Sequence, residues 1–178
     1  MKKLFLTYLL LFINTGTSVF AQSSISVGPQ LGFASNFSSS AKTGLGASIE
    51  YTGQFSEHLG ARVYVGYDRF KGKYFAEDVV SFLPVRAGLQ GFVYKDIFSV
   101  FAEAGVASFH AKSTEIHNSN FTYALGVAYR MPLGQSKQFL QVSGAYDYYR
   151  YSDQFHYSWY NIRLAYGLGF GRKNSEGK

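Results

Sequence analysis

Large apolar residues alternate with small or polar residues along most of the chain. The last clear example is YNIRLAYGLGF, residues 160–170, in which every second residue is large and apolar. Successive side chains of a β-strand point to opposite faces, so a period of two predicts a strand with one apolar and one polar face. Eight stretches follow this pattern, at roughly residues 24–37, 44–55, 60–69, 81–94, 99–110, 121–131, 139–149 and 159–170.

The connections between these stretches alternate in length, with long ones after the odd-numbered stretches and short ones after the even-numbered. The long connections are 38–43, 70–80, 111–120 and 150–157, and the short ones are 56–59, 95–98 and 132–137. Long loops at one end and short turns at the other are typical of outer-membrane barrels. The sequence therefore predicts an all-β fold, an eight-stranded antiparallel up-and-down transmembrane β-barrel with both termini at the short-turn end, in the periplasm. Pro29 and Pro84 fall inside predicted strands, where each removes one ladder N–H.

The two faces of the predicted strands differ in composition. The apolar faces carry no charge within the span, whereas the opposite faces carry glycine, alanine and serine with a few charges of balanced sign. A soluble sandwich would place many lysines and glutamates on its second face. Sparse, balanced charges instead suit the narrow lumen of an eight-stranded barrel, where arginines reach carboxylates. We expect lipid on the apolar face and a lumen charge network formed by Glu50, Arg62, Asp68, Arg86, Glu103, Arg130, Asp147 and Arg163.

The N-terminus has the pattern of a secretory signal peptide. Lys2 and Lys3 precede an apolar stretch over residues 4–13, and small and polar residues then lead to Ala21. We expect a signal peptide over residues 1–21, a barrel over 22–170 and a dispensable polar tail over 171–178. The predicted location is the cell outer membrane, after export.

Composition narrows the function classes. The chain has no cysteine, so disulfides and thiolate metal sites are excluded. Removing Lys2 and Lys3 from the 17 basic residues leaves 15 against 11 acidic residues, a net charge of +4. This charge is mild and no dense basic run is present, so the sequence gives no indication of nucleic-acid binding.

The signal peptide, eight alternating stretches, aromatic strand ends and the final YNIRLAYGLGF segment resemble the small outer-membrane barrels of the OmpA/OmpX type. The resemblance covers about residues 24–170 and implies a porin-like fold in a Gram-negative bacterium. It also implies that Phe170, as the terminal aromatic residue, is read by the barrel-assembly machinery. Because such barrels serve as structural proteins, adhesins, receptors and lipid-modifying enzymes, the resemblance constrains the fold more than the function.

One short motif is a candidate for catalysis. His117 and Ser119, in HNSN at residues 117–120, resemble the His-x-Ser-Asn stretch of lipid A deacylases, in which a downstream glutamate completes the site. Here the downstream carboxylates in the barrel are Asp147 and Asp153, and the stretch is predicted to be a polar loop. We therefore expect no enzyme, no cofactor and no metal site, and interpret the histidines as surface residues. A lipid A-modifying hydrolase is the alternative, and a soluble ligand-binding barrel is the third hypothesis.

The loop end offers candidate binding residues. On three strands the outward-facing positions are apolar within the membrane span, and the outward positions that follow, nearer the loops, include a basic residue. Lipopolysaccharide phosphates would lie at this height. These candidate lipopolysaccharide contacts are Arg69, Lys71, Lys73, Lys112 and Arg150. Loop aromatics offer either a binding edge for an extracellular protein or glycan, or packing for the upper barrel; they are Phe70, Tyr74, Phe75, Tyr151, Phe155 and Tyr157. The predicted role is structural or adhesive, carried by the extracellular loops.

Overall fold

The chain forms a closed antiparallel barrel of eight strands, so the predicted fold class is confirmed. The computed structural model describes residues 22–37, 41, 43–72, 79–94, 97–111, 116–134 and 137–170. The strands are β1 (Gln22–Ala34), β2 (Gly44–Gln54), β3 (Leu59–Lys71), β4 (Val79–Tyr94), β5 (Phe98–Ala111), β6 (Ile116–Pro132), β7 (Gln138–Arg150) and β8 (His156–Phe170). Each strand pairs with its neighbours in sequence, and β1 pairs with β8 to close the sheet. No helix in the described part of the chain is long and apolar enough to cross a membrane.

Strands β3 to β8 extend beyond the apolar alternation at the long-loop end, the end that holds the β1–β2, β3–β4, β5–β6 and β7–β8 connections, whereas β1 ends at Ala34, three residues before its predicted end. The largest difference is in β6, which begins at Ile116, so the prediction of a loop over residues 116–120 was wrong. These residues pair with β5 from Ala107 to Ala111. Because their outward side chains are polar, hydrophobic alternation gave no signal for this part of the strand.

Pro29 and Pro84 lie inside strands, and the third proline, Pro132, is the last residue of β6. Pro29 pairs with Ala47 of β2, while the β1–β8 register is interrupted between the Val27–Tyr166 and Gln30–Arg163 pairs. A proline lacks the N–H that a ladder needs on one side, which accounts for the interruption. The β3–β4 register is likewise interrupted beside Pro84, between the Val65–Val85 and Asp68–Phe82 pairs. The barrel therefore tolerates Pro29 and Pro84 at the cost of a local gap in one ladder each.

The barrel has an inverted distribution of polarity. Leu45 on the exterior is 66% exposed, whereas Arg62 and Asp147 in the lumen are 0% exposed. A water-soluble domain buries its large apolar residues and keeps arginine and aspartate in solvent. A continuous apolar exterior of this extent marks a surface that contacts something other than water.

Side chains fill the lumen in three layers. At the long-loop end lies an aromatic plug, which consists of Phe70, Phe82, Phe109, Tyr149 and Trp159 with Phe37, Tyr151 and Tyr157 packed against them. Charged side chains occupy the middle layer. Nearest the short-turn end, the lumen holds the buried rings of Phe92, Phe101 and Phe139.

The aromatic plug decides between the two interpretations of the loop aromatics. Phe70, Tyr151 and Tyr157 pack inside the upper barrel, with Phe70 only 1% exposed. Phe155 is 66% exposed, and Tyr74 and Phe75 lie outside the described residues. Upper-barrel packing is therefore the role of three of these residues, and Phe155 is the one left exposed among those described.

Small lumen residues allow the strands to come close together, which a substitution at Gly88 should demonstrate. A Cβ added there would lie 2.6 Å from the Cα of Glu103 and would also overlap the carbonyl oxygen of Ala102, both in the backbone of β5. We expect Gly88→Ala to destabilise the barrel by about 1–3 kcal/mol, the usual cost of overpacking. Gly144→Ala is the matched control because a Cβ at Gly144 meets nothing within 4 Å.

The measurement is urea unfolding in detergent micelles, followed through the fluorescence of Trp159, the only tryptophan. Gly144→Ala should be neutral or stabilising by about 0.5–1 kcal/mol, since alanine restricts the unfolded chain more than glycine does. Equal unfolding midpoints for the two variants would contradict the close approach of β4 and β5 at Gly88.

Candidate functional site

A continuous chain of ion pairs crosses the middle of the lumen. Arg62 Nη2 lies 2.7 Å from Glu50 Oε2, and Arg62 Nε contacts Glu103 Oε1. Arg86 then joins Glu103, with 3.3 Å between Nε and Oε2, to Asp147 through its Nη1. The chain thus alternates acid and base across β2, β3, β5, β4 and β7. This alternation compensates charges that would otherwise be costly to bury.

The guanidinium groups of the lumen arginines lie against the faces of aromatic rings. The guanidinium carbon of Arg62 lies 3.7 Å from the ring centroid of Phe101. Tyr64 lies between two arginines, with Arg163 at 4.0 Å and Arg86 at 4.5 Å from its ring centroid. Cation–π contacts of this kind strengthen when the groups are shielded from water. Arg163 also approaches Glu50, with 3.9 Å between Nη1 and Oε2.

Two members of the predicted charge network lie apart from this chain. Asp68 accepts hydrogen bonds from Gln30 Nε2 at 2.7 Å and Asn161 Nδ2 at 3.4 Å, and it forms no ion pair with any described residue. Arg130 is half-buried nearer the short-turn end. There it contacts Ser24 Oγ at 3.3 Å, Gln141 Oε1 at 3.4 Å and the ring of Phe139.

Neutral polar residues complete the network, and sequence reasoning missed them. Gln141 donates to Glu50 at 3.1 Å, and Tyr64 donates its hydroxyl proton to Gln30 at 3.0 Å. Thr52 and Ser99 both bond to Gln90. A signal was present for all of these residues except Gln30, since the others have the same parity as the charges on their strands and β1 carries no charge.

The outward face at the long-loop end carries the candidate binding residues. Arg69 and Lys71 are exposed on β3. Arg150 on β7 forms an ion pair with Asp153 at 2.5 Å, in which both side chains are largely exposed. Lys73 and Lys112 lie outside the described residues. Two described cations of β3 therefore share one patch, whereas Arg150 already has an acidic partner.

His117 and Ser119 share the outward face of β6, yet their hydrogen bonds go to β5. Ser119 Oγ lies 3.0 Å from Ser108 Oγ, and His117 Nδ1 lies 3.2 Å from His110 Nδ1. Asp147, one of the two downstream carboxylates, is in the lumen, and Asp153 pairs with Arg150. Within the described ranges, no group of three or more His, Asp or Glu side chains is placed to hold a metal ion.

Phe170 is the last residue of β8, where it pairs with Ser23 of β1 and is 46% exposed. It therefore lies at the strand end that closes the barrel, facing outward. The predicted signal peptide (1–21) and polar tail (171–178) lie outside the described residues.

Several solved structures have the same architecture. The chain is similar to OprG from Pseudomonas aeruginosa, an outer membrane protein, with a TM-score of 0.58 and 9% identity over 86% of this chain and 97% of that chain. It is also similar to Ail, the attachment invasion locus protein of Yersinia pestis, with a TM-score of 0.57 and 17% identity over 85% and 99%. Neisserial surface protein A gives a TM-score of 0.52 and 13% identity over 84% and 97%. No protein-family model and no curated protein matches the sequence.

At these low identities the likeness concerns the fold alone. The chain has the fold of small eight-stranded outer-membrane barrels. The function has to be argued from the chain's own surface and lumen.

Removing one arginine from the ion-pair chain should be costly. Arg86→Met would leave Glu103 and Asp147 buried with one cation fewer, and we expect a loss of about 3–5 kcal/mol in the free energy of unfolding. Arg150→Met is the control because it breaks an exposed pair, which is worth about 0–1 kcal/mol. Urea unfolding in micelles measures both variants. Similar losses for the two would refute the proposed importance of the lumen network.

A lumen filled in three layers should conduct ions poorly. In planar bilayers we expect the purified protein to give no large, stable single-channel currents, since the aromatic plug and the ion-pair chain leave little room for water. Phe82→Ala together with Trp159→Ala opens the plug while leaving the charges in place, and it tests whether the middle layer alone blocks ions. Stable nanosiemens-scale channels from the unaltered protein would contradict a closed lumen.

Proposed function

We propose that the protein is an outer-membrane anchor of a Gram-negative bacterium with a structural or adhesive role, exerted at its long-loop end. The inverted barrel is the observation that carries this proposal. An apolar exterior around a filled, charged lumen is stable in a lipid environment, because lipid replaces the water that would oppose such a surface. The long loops then face the cell exterior, and the short turns and both termini face the periplasm.

The exposed cations of β3 support binding to anionic surface molecules. Arg69 and Lys71 follow Val63, Val65 and Tyr67 on the outward face, so they stand directly beyond the apolar band. Basic side chains on the lipid side of a barrel are tolerated near the interface, where phosphates are available for charge-assisted hydrogen bonds. Lipopolysaccharide phosphates are the anions that this position would meet.

A structural neighbour supports the same class of ligand. One structure of Ail contains sucrose octasulfate, described there as a heparin analogue, and this chain matches it with a TM-score of 0.54 and 16% identity. That ligand is a densely anionic saccharide. By analogy, the partner proposed here is lipopolysaccharide or an extracellular anionic glycan, bound at the cationic rim of the barrel.

The rim proposal predicts a specific loss of stabilisation by lipopolysaccharide. A ligand that binds the folded barrel raises its melting temperature, so lipopolysaccharide added to micelles should stabilise the unaltered protein. Arg69→Gln/Lys71→Gln should reduce this rise, and glutamine at all five candidates should reduce it further. Arg69→Gln alone should also reduce the rise, and Lys137→Gln, which likewise removes one positive charge but at the short-turn end, is its control. Arg150→Gln should have a smaller effect because Asp153 already holds that guanidinium.

An equal rise in melting temperature for the five-residue variant and the unaltered protein would exclude the rim as a lipid site. A reduction by Lys137→Gln as large as that by Arg69→Gln would point to overall charge rather than to the rim.

A lipid A-modifying hydrolase remains the second candidate, because His117 and Ser119 face outward on β6, on the side that lipid would occupy. Against it, Ser119 is bonded to Ser108 and His117 to His110, and no described carboxylate contacts either. A serine nucleophile needs its base within hydrogen-bond reach and a group that orients the base. We expect mass spectrometry of lipid A from cells expressing the protein to show unchanged acylation. Loss of an acyl chain that Ser119→Ala prevents would establish the hydrolase instead.

A further inference from the structure

Two histidines face each other across neighbouring strands at the long-loop end. His110 of β5 and His117 of β6 are register partners on the outward face. Their rings are stacked, with 4.2 Å between centroids and 27° between planes, and their Nδ1 atoms lie 3.2 Å apart. His117 is exposed and His110 is half-buried, so the pair is open to solvent.

We propose that His110 and His117 form a binding site for a divalent transition-metal ion such as Zn²⁺, with one Nδ1 ligand from each strand. At metal–nitrogen distances of about 2.0–2.1 Å, a separation of 3.2 Å between the two nitrogens corresponds to an angle of about 100° at the metal. This angle is close to that of two adjacent ligands in a tetrahedral zinc site. The proposal is independent of any binding of lipopolysaccharide at Arg69 and Lys71.

The proposed metal position lies between the two Nδ1 atoms. In the metal-free pair these atoms are within hydrogen-bond distance and either can be the donor; because the rings are stacked, they must turn before both in-plane lone pairs point at one metal ion. A metal ion entering there takes the lone pairs of both Nδ1 atoms. The imidazole that carried its proton on Nδ1 then carries it on Nε2, and no proton has to leave the site. Rotation of the rings about their Cβ–Cγ bonds completes the alignment.

The surroundings leave the remaining coordination positions open. Ser108 and Ser119 lie one residue pair nearer the apolar band on the same face, with 3.0 Å between their hydroxyl oxygens. Ser81 of β4, the register partner of His110 on the other side, is buried and donates its hydroxyl to the carbonyl oxygen of His110 at 3.5 Å. The hydroxyls of Ser108 and Ser119 suit hydrogen bonding to metal-bound water. Among the described residues no third ligand is in place, so water or an external group would fill the other positions.

The ligand chemistry selects the class of metal. Neutral imidazoles favour Zn²⁺, Cu²⁺ and Ni²⁺, whereas Mg²⁺ and Ca²⁺ prefer oxygen ligands. The site lies beyond the apolar band, since His110 is four residues, or about 13 Å along the strand, past Val106. An ion in the external medium therefore reaches it without crossing the hydrocarbon region, and its binding would tie β5 to β6 at the rim.

The experiment uses the full exported chain, without an affinity tag, folded in detergent micelles. Isothermal titration with Zn²⁺ measures stoichiometry and affinity, and electron paramagnetic resonance of added Cu²⁺ counts its nitrogen ligands. The variants are His110→Ala and His117→Ala. His156→Ala is the matched control, since His156 is an outward histidine that stacks on Tyr148 instead, with 5.0 Å between centroids. Heat-modifiable gel mobility and Trp159 fluorescence verify that each variant is folded.

We expect one saturable site, two nitrogen ligands in the Cu²⁺ spectrum and unchanged binding in His156→Ala. His110→Ala and His117→Ala should each weaken Zn²⁺ binding by at least about 10–100-fold, which is the loss usually caused by removing a residue that only supports a metal ligand. The inference fails if the unaltered protein binds no Zn²⁺ or if His110→Ala and His117→Ala bind it normally. It also fails if His156→Ala loses as much affinity as they do. Should a variant not fold, the nitrogen count in the unaltered protein decides the matter.

Discussion

The burial of six compensating charges is the constraint on which the rest of the barrel depends. Glu50, Glu103 and Asp147 face Arg62, Arg86 and Arg163, all of them almost fully buried, and an unmatched charge in such a place would be very costly. Three acids and three arginines cancel only if six different strands hold them at the same height, so the charges constrain both strand number and register. Aromatic platforms such as Tyr64 and Phe101 then follow as requirements for holding guanidinium groups in the interior.

The exterior imposes the complementary requirement that no strand edge is left open. In hydrocarbon an unpaired backbone N–H or C=O costs several kcal/mol, by the order of magnitude for unsatisfied polar groups. The pairing of β1 with β8 removes both edges. In this pairing the register is interrupted only beside Pro29, between the Val27–Tyr166 and Gln30–Arg163 pairs. Closure and charge compensation therefore reinforce each other, because the same register that seals the sheet brings β2, β3, β5, β4 and β7 together inside.

Most of the fold could be predicted from the sequence. Residues that face lipid must be apolar and residues that face a narrow lumen must be small or paired, so the two kinds alternate along each strand. The position of the charges followed from the same parity. The pattern did not reveal residues 116–120 as a strand, since residues 117–120 are polar on both faces and a period of two has no contrast there. The inward direction of Phe70, Tyr151 and Tyr157 was not predicted either, although for Phe70 the same parity that placed Arg69 and Lys71 outward indicates the lumen. The closeness of His110 and His117 depends on the β5–β6 register, which spacing alone does not determine.

The aromatic plug separates the extracellular-side loops from the ion-pair chain, so that a change in one need not affect the other. It lies between the loops and the ion-pair chain, so a change in loop length or composition meets a layer of rings before it reaches any buried charge. Contacts that do not share partners contribute to stability almost additively. The segments on the loop side of Phe82 and Trp159 can consequently change in sequence with little effect on the buried charges on the other side of the plug. The same separation makes this barrel a scaffold on which foreign peptide segments could be displayed at a cell surface.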